Sequence, residues 1–293
     1  MMKTDPPQKN PDLVYDVGMH KGEDTDFYLK KGFRVIAFEA DPQLAEECRV
    51  RFKEKIQQGR LVIVEGAIVD CKAGDAEEKT VKFYRNRELS VWGTVDSVWA
   101  SRNEAFGTSN EMIEIPSIDF SSCLKRYGVP YYMKIDIEGM DLVCLKALKD
   151  FREKPDYISI ESEKISFAKL RREIRLFNQL GYSNFKAVNQ SVVQDQKEPA
   201  DTREGCYLGY TFQDGSSGLF GTDLAGKWKS SNLIIAEYMK IFLGYSLFGD
   251  TGILRNTYLG NILLGMINRI SSSPVPGWYD THARHDSAGD GKA

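Results

Sequence analysis

Short apolar runs alternate with amphipathic stretches through the first half of the chain. Residues 13–18 (LVYDVG), 33–39 (FRVIAFE) and 61–65 (LVIVE) are apolar runs of strand length. Between them, residues 23–31 form an amphipathic stretch that stops at a glycine, and Pro42 stands where a second helix would begin. This alternation is typical of βαβ units and therefore predicts a parallel sheet flanked by helices.

Residues 71–116 interrupt this rhythm. A charged, turn-rich stretch is followed by TVKFY, whose alternating pattern predicts a hairpin strand and thus an insertion in the sheet. The βα rhythm then returns in four segments. They are strand 131–136 (YYMKID), helix 140–148, strand 157–161 (YISIE) and a helix that carries Phe167, Leu170, Ile174, Phe177 and Leu180 and closes at Gly181. Residues 185–190 (FKAVNQ) predict a sixth short strand.

The composition changes again over residues 191–276. A polar stretch and a glycine-rich loop precede helix-like segments at about 232–247 and 256–270. Residues 256–268 are uncharged, but 13 residues are fewer than the roughly 18 that a spanning helix needs, so we expect a buried or interfacial helix and no membrane span. We expect residues 1–12 and 284–293 to be disordered, which leaves a single domain over 13–283.

Charge and cysteine content narrow the class of protein. The chain has 293 residues, and 39 Lys and Arg against 42 Asp and Glu give a net charge of −3, which disfavours a nucleic-acid partner bound through a basic surface. The five cysteines are scattered and form no C-x-x-C pair, as is typical of reduced thiols. The polar start has no apolar signal-peptide core, so we expect a cytoplasmic protein.

The most informative segment is YDVGMHKG, residues 15–22. Gly18 and Gly22 flank a predicted strand-to-helix turn where a ligand can approach backbone N–H groups. Glu39 ends the next strand, 21 residues after Gly18, where an acid can accept hydrogen bonds from both ribose hydroxyls. His20 replaces the second glycine of a G-x-G-x-x-G fingerprint, which disfavours a pyrophosphate, and Asp16 suits a cationic group such as the amino end of S-adenosylmethionine.

The sequence resembles the FkbM family of class I S-adenosylmethionine-dependent methyltransferases. The resemblance rests on residues 16–42 (DVGMHKGEDTDFYLKKGFRVIAFEADP) and 132–141 (YMKIDIEGMD), with weaker support from YISIE, FKAVNQ, SSGLFG and GWYDTHA. It covers residues 13–283. It implies a doubly wound, Rossmann-like α/β sheet with an antiparallel last strand and a helical or loop insertion before that strand. The implied activity is methylation of a hydroxyl oxygen on a small-molecule acceptor, a sugar or secondary metabolite.

The resemblance also implies roles for individual residues. Asp16 and the loop from Gly18 to Gly22 would hold the methionine part of the donor, and Glu39 would bind the ribose. The adenine would lie beside Ala67 and Ile68. Other residues expected to contribute to donor binding are His20, Thr25, Ala40, Asp41 and Asp136.

Candidate bases follow from the rule that ligands bind at the carboxyl ends of parallel strands. Glu138 and Glu161 lie at or just after such ends, and His282 is the next candidate. If GWYDTHA is an antiparallel last strand, residues 191–276 leave and re-enter the sheet at its ligand edge. We therefore expect a lid there, with Trp278, Asp280 and His282 on one face of the final strand. The alternative for the apolar helices is a surface elaboration or a homodimer contact.

Other site chemistries fit the residues less well. Asp136 and Glu138 supply only two oxygen ligands for Mg²⁺, so a metal is disfavoured. An N-methyltransferase of the same fold and a non-catalytic nucleoside-binding protein remain as alternatives. An NAD-dependent oxidoreductase is disfavoured by His20.

Overall fold

The computed structural model describes residues 8–70, 80–137, 139–162, 166–249, 252–255, 257–270 and 277–289. The chain divides into two compact units, residues 1–158 and 159–293. It has an α/β architecture with a mostly parallel central sheet and an antiparallel final strand, which confirms the fold class predicted from the sequence.

The first unit contains a parallel sheet of four strands. They are β1 (Lys9–Val17), β2 (Arg34–Glu39), β3 (Leu61–Glu65) and β7 (Val129–Ile135), hydrogen-bonded in the order β7-β1-β2-β3. From Leu13 to Val17, β1 is buried at every position, as expected for a central parallel strand covered on both faces. All four strands therefore place their carboxyl ends at one edge.

The first unit also contains helices, which lie between these strands in the chain or after β7. They are α1 (Glu23–Lys31), α2 (Pro42–Arg51), α3 (Lys53–Gln57), α4 (Ser97–Ala105), α5 (Phe120–Tyr127) and α6 (Asp141–Ala147). Helix α1 has acidic residues in its first turn and basic ones in its last, which complements the helix dipole, and it ends at a left-handed Gly32. Helix α2 begins at Pro42, and the Asp41 side chain caps it by accepting from Gln43 N–H.

The insertion after β3 forms a second small sheet. Its strands are β4 (Ala67–Ile68), β5 (Thr80–Asn86) and β6 (Asn110–Ile118), in the order β4-β6-β5. Strands β5 and β6 pair antiparallel, as the hairpin pattern predicts, and α4 lies between them in the chain. Residues 71–79 of the predicted insertion lie outside the described residues.

The second unit holds the later strands and helices. They are β8 (Tyr157–Glu161), within which the division falls, α7 (Phe167–Gln179), β9 (Tyr182–Asn189), β10 (Lys229–Ser230), α8 (Ser231–Phe248), α9 (Tyr258–Ile270) and β11 (Tyr279–His285). The strand order is β10-β9-β11-β8, and β11 runs antiparallel to β9. Among the described helices, none has both the length and the apolar character that crossing a bilayer requires.

Two predicted disordered ends are partly ordered. Strand β1 begins at Lys9, not at residue 13, because the backbone pairs with Val129 and Pro130 and Lys9 Nζ lies 2.6 Å from Asp156 Oδ1. At the other end, β11 extends to His285, whose ring packs edge-on against Tyr182. The prediction of disorder was therefore wrong for residues 9–12 and 284–285. The predictions of one domain and of a lid over 191–276 stay predictions.

Candidate functional site

The loop between β1 and α1 is shaped by close backbone packing. Gly18 has φ +88°, and a Cβ there would lie 1.9 Å from the carbonyl oxygen of Asp136 at the end of β7. Gly22 has φ +81°, and its Cβ would lie 2.5 Å from the Phe52 ring. Only glycine fits either position without displacing a neighbour. Both glycines thus have a packing reason to be present, in addition to any contact with a ligand.

His20, in the same loop, is held by three polar contacts. Its φ of +52° is unusual for a residue with a side chain. Its backbone N–H donates to Glu39 Oε2 at 2.7 Å, its ring Nε2 lies 2.8 Å from Ser90 Oγ, and its Nδ1 lies 3.4 Å from Glu23 Oε1. Ser90 belongs to the insertion between β5 and β6. The insertion therefore contacts the glycine loop directly.

Glu39 is a buried carboxylate at the carboxyl end of β2. Its side chain accepts from two backbone N–H groups, His20 to Oε2 at 2.7 Å and Asp41 to Oε1 at 2.8 Å. Burial raises the pKa of Glu39 to about 7, against the opposing effect of these two hydrogen bonds. Each carboxylate oxygen can accept more than one hydrogen bond, so Glu39 retains acceptor capacity for a ligand hydroxyl.

Asp16 and Thr25 are both fully buried beside the loop. Thr25 Oγ1 donates to Asp16 Oδ2 at 2.6 Å, and Asp16 Oδ1 lies 3.5 Å from Lys134 Nζ. Within the part of the chain that the structure describes, Oδ1 has no hydrogen bond of normal geometry. Burial raises the pKa of Asp16, while Lys134 and Thr25 oppose that shift. Asp16 thus has a spare acceptor oxygen, but direct contact with a ligand requires local opening.

Lys134 on β7 is the centre of an acidic cluster. Its Nζ donates to the carbonyl oxygen of Gly18 at 2.7 Å and lies 3.8 Å from both Asp24 Oδ2 and Asp136 Oδ2. Lys134 and Asp24 are buried, whereas the Asp136 side chain is 48% exposed. Three carboxylates, including Asp16, therefore surround one ammonium group. Asp136 is the member of this cluster that a ligand can reach directly.

Asp41 is occupied by structural contacts. Besides capping α2, it forms a bidentate ion pair with Arg85 of β5, with both N···O distances at 2.7 Å. The predicted adenine contacts are also packed. Ala67 belongs to a buried cluster with Phe83 and Ile115 of the insertion, against which Ala40 packs, and Ile68 is buried as well. A role for these residues in donor binding stays a prediction.

The candidate bases have different surroundings. Glu138 lies outside the described residues, and Glu161 is half-buried at the end of β8 in the second unit. His282 is buried within β11, where desolvation and the nearby Lys186 lower the pKa of its imidazole to about 3. Because the His282 imidazole is buried within the sheet, it is poorly placed to contact an acceptor. We therefore do not propose His282 as the base.

Sequence reasoning did not identify four residues at the site. Lys134 lies in the motif YMKIDIEGMD. A lysine within an otherwise apolar strand is unusual, and this could have indicated a buried ion pair. Trp99 of α4 lies against Gly139, whose Cβ would meet the indole at 2.9 Å, so it packs just beyond β7. Arg85 and Ser90 carried no comparable local signal, because their partners are distant in sequence.

A family model, Methyltransferase FkbM domain, matches residues 16–183. The chain belongs to this family. The matched range contains the glycine loop, Glu39, Lys134 and the end of β7. The protein is thus a methyltransferase, and membership in the FkbM family implies a methyl donor of the S-adenosylmethionine type.

The solved structures that resemble this FkbM methyltransferase have low sequence identity to it. Precorrin-6y C5,15-methyltransferase from Geobacter metallireducens is 12% identical, with 69% of this chain and 77% of that chain covered and a TM-score of 0.32. A putative sarcosine dimethylglycine methyltransferase from Galdieria sulphuraria is 8% identical, with 94% and 79% covered and a TM-score of 0.35. The StiE O-MT, residues 942–1257, is 9% identical, with 95% and 69% covered and a TM-score of 0.38. No curated protein matches the chain.

Proposed function

We propose that this FkbM methyltransferase transfers a methyl group from S-adenosylmethionine to a hydroxyl oxygen of a sugar or secondary metabolite. The observation that carries the donor assignment is Glu39, a buried carboxylate fixed by two backbone N–H groups beside the glycine loop. A ribose presents two adjacent hydroxyl donors, and the remaining lone pairs of Glu39 can accept them.

The charge around the loop supports the same donor. Asp16, Asp24 and Asp136 outnumber Lys134, so the cluster is net negative when its carboxylates are ionised. A sulfonium and an ammonium group both complement such a cluster, whereas a pyrophosphate is repelled. The spare acceptor of Asp16 Oδ1 and the exposed carboxylate of Asp136 are the groups that we assign to the ammonium end.

The chemistry divides between the donor and the chain. When bound, the donor supplies an electrophilic methyl group on sulfur, and transfer needs an acceptor atom aligned with that methyl. The chain orients the donor through Glu39 and the loop. A carboxylate holds or removes the proton of the acceptor hydroxyl, and we assign this role to Glu138, which follows β7 in the sequence, or to Glu161, the last residue of β8.

The donor assignment is tested by calorimetry with S-adenosylhomocysteine. At about pH 8.5, above the pKa of Glu39, we expect binding by the wild-type protein, and we expect Glu39→Ala to weaken it by about 30-fold, since a hydrogen bond to a charged acceptor contributes roughly 2 kcal/mol. Glu65→Ala is the matched control, because Glu65 ends β3, pairs in register with Glu39 and instead contacts Arg49 at 2.7 Å. Binding of NADH without binding of S-adenosylhomocysteine would refute the assignment.

The acceptor assignment is tested with methyl-labelled S-adenosylmethionine and a panel of hydroxylated sugars, each paired with its amino analogue. We expect label in an ether product, located by mass spectrometry. Glu138→Gln or Glu161→Gln should lower kcat by about 100-fold or more while leaving S-adenosylhomocysteine affinity unchanged. Label in a methylamine product would refute O-methylation, and unchanged rates in both variants would place the base elsewhere.

A further inference from the structure

One side of helix α9 exposes a row of apolar side chains to solvent. Tyr258, Ile262 and Met266 are spaced by four residues, so they lie along one side of the helix, and they are 85%, 44% and 55% exposed. Gly260, on the other side, is buried, and Leu264 is half-buried. A helix on the surface of a water-soluble protein normally has the reverse arrangement, with its polar side outward.

Helix α8 also exposes apolar side chains. Met239 and Leu243, four residues apart on one side, are 55% and 60% exposed, and Leu233 near the start of the helix is 61% exposed. Backbone hydrogen bonds from Ile253 N–H to Ser246 and from Leu254 N–H to Leu247 tie the connection between the helices to the end of α8. We call the six residues the exposed apolar residues of α8 and α9. They are six of the sixteen large apolar side chains that are exposed among the described residues, and a concentration of such side chains is typical of an interaction surface.

The charge of this region is opposite to that of the whole chain. Residues 251–279 contain no Asp or Glu, and their only charged residues are Arg255 and Arg269. Both arginines are exposed, as is Lys240 on α8, and the acid of that helix, Glu237, pairs with Lys229 at 2.5 Å. The complete chain has a net charge of −3. A basic and apolar region on an acidic protein complements an anionic surface that also has an apolar interior.

Two further properties fit a lipid surface. Tyr258 begins α9, and Trp278 is 47% exposed ahead of β11; these two residue types favour the boundary between headgroups and acyl chains. Thirteen helical residues measure about 20 Å, less than the roughly 30 Å of a bilayer core, so α9 can lie in the interface but cannot span it.

We propose that α8 and α9 dock on the surface of an anionic lipid bilayer. A second copy of the chain suits these observations less well. A two-fold contact through residues 251–279 would bring their arginines together, and this segment supplies no acid to neutralise them. The proposal is independent of the methyl acceptor and of the donor assignment.

Cosedimentation with phosphatidylcholine vesicles, with and without phosphatidylglycerol, tests the proposal. We expect the full chain to bind the anionic vesicles at least tenfold more tightly than the neutral ones, and high salt should reduce this difference. Ile262→Asp with Met266→Asp should lower binding to anionic vesicles at least tenfold. Arg255→Gln with Arg269→Gln should remove most of the preference for anionic lipid.

Matched variants separate this result from general effects of substitution. Val98→Asp changes an apolar side chain that is 75% exposed on α4, and Arg171→Gln with Arg172→Gln removes two exposed charges from α7. Both should bind vesicles like the wild type, and circular dichroism should show that all variants are folded. Absence of vesicle binding would overturn the proposal. A concentration-dependent dimer that Ile262→Asp disrupts would also overturn it and assign the helices to a second copy.

Discussion

Glu39 makes the stability of this methyltransferase depend on pH. Burial raises the pKa of Glu39 from 4.5 to about 7, so the folded chain retains a proton that the unfolded chain has already released. The folded state binds more protons than the unfolded state between these two values. The free energy of unfolding must therefore fall as the pH rises from about 4.5 through 7, and the stability contributed by the protonated group is complete only below that window.

The magnitude follows from the two pKa values. At 1.36 kcal/mol per unit, the Glu39 contribution to the free energy of unfolding decreases by about 2.5 kcal/mol between about pH 5 and pH 8.5. The substitution Glu39→Gln replaces the titrating carboxyl group by a neutral amide and so removes its contribution to the pH dependence of stability. The glutamine amide has one oxygen for the two N–H donors of His20 and Asp41, so the substitution costs about 1–2 kcal/mol at every pH.

Urea unfolding at both pH values measures this effect. The variant should be less stable than the wild type at about pH 5 and as stable or more stable at about pH 8.5, with a change in the difference of about 2.5 kcal/mol. Subtracting the two proteins cancels every other titrating group. Glu65→Gln, on the neighbouring strand, should follow the wild-type profile. Parallel pH profiles for Glu39→Gln and the wild type would refute the assignment of a raised pKa to Glu39.

Four other outcomes follow from the structure. Arg85→Met should destabilise the protein by about 2 kcal/mol in urea unfolding, because it leaves the nearly buried Asp41 without its bidentate partner. When Arg85→Met is combined with Asp41→Asn, the loss of unfolding free energy should be smaller than the sum of the two single losses. Thr25→Val should cost about 2 kcal/mol, because the buried Asp16 loses its hydroxyl donor at 2.6 Å; thermal unfolding that is unchanged would contradict this. Because the lowered pKa of His282 lies near 3, the folded chain resists protonating it and loses stability as the pH falls below about 6.5; His282→Gln should lose about 2 kcal/mol less than the wild type between about pH 8 and pH 5. Exhaustive treatment with EDTA should leave methyl transfer unchanged, since Asp136 and Glu138 supply only two of the roughly six oxygen ligands that Mg²⁺ takes; a loss restored by Mg²⁺ would contradict it.

Local pattern was sufficient to predict most strands and helices of the fold. LVIVE and YISIE occupy β3 and β8 with the predicted bounds, because a short, mainly apolar run between turn residues is a local signal for a strand. Helix α1 also matches, since its charges and the glycine beyond its end are local signals. The early start of β1 was missed, because Lys9 is ordered by Asp156, a partner 147 residues away.

The site was predicted in outline, but not in its internal connections. The position of Glu39 followed from its spacing to the glycine loop, while its raised pKa depends on how completely the fold buries it. Asp41 was predicted to contact the donor, yet a pattern cannot show that Arg85, 44 residues later, occupies both of its oxygens. Lys134 lies within the motif YMKIDIEGMD, but its role could not be predicted, because its three carboxylate neighbours come from different elements.

The position of β11 has a consequence for the order in which the second unit can form. This strand lies between β9 and β8, although it follows β9 by about 90 residues in the chain. During synthesis, β8 and β9 emerge before the strand that separates them, and direct pairing between them would give a non-native strand order. Contacts of such long sequence separation slow folding. The interval before β11 emerges is therefore when this methyltransferase is most exposed to misfolding, and when help from a chaperone would matter most.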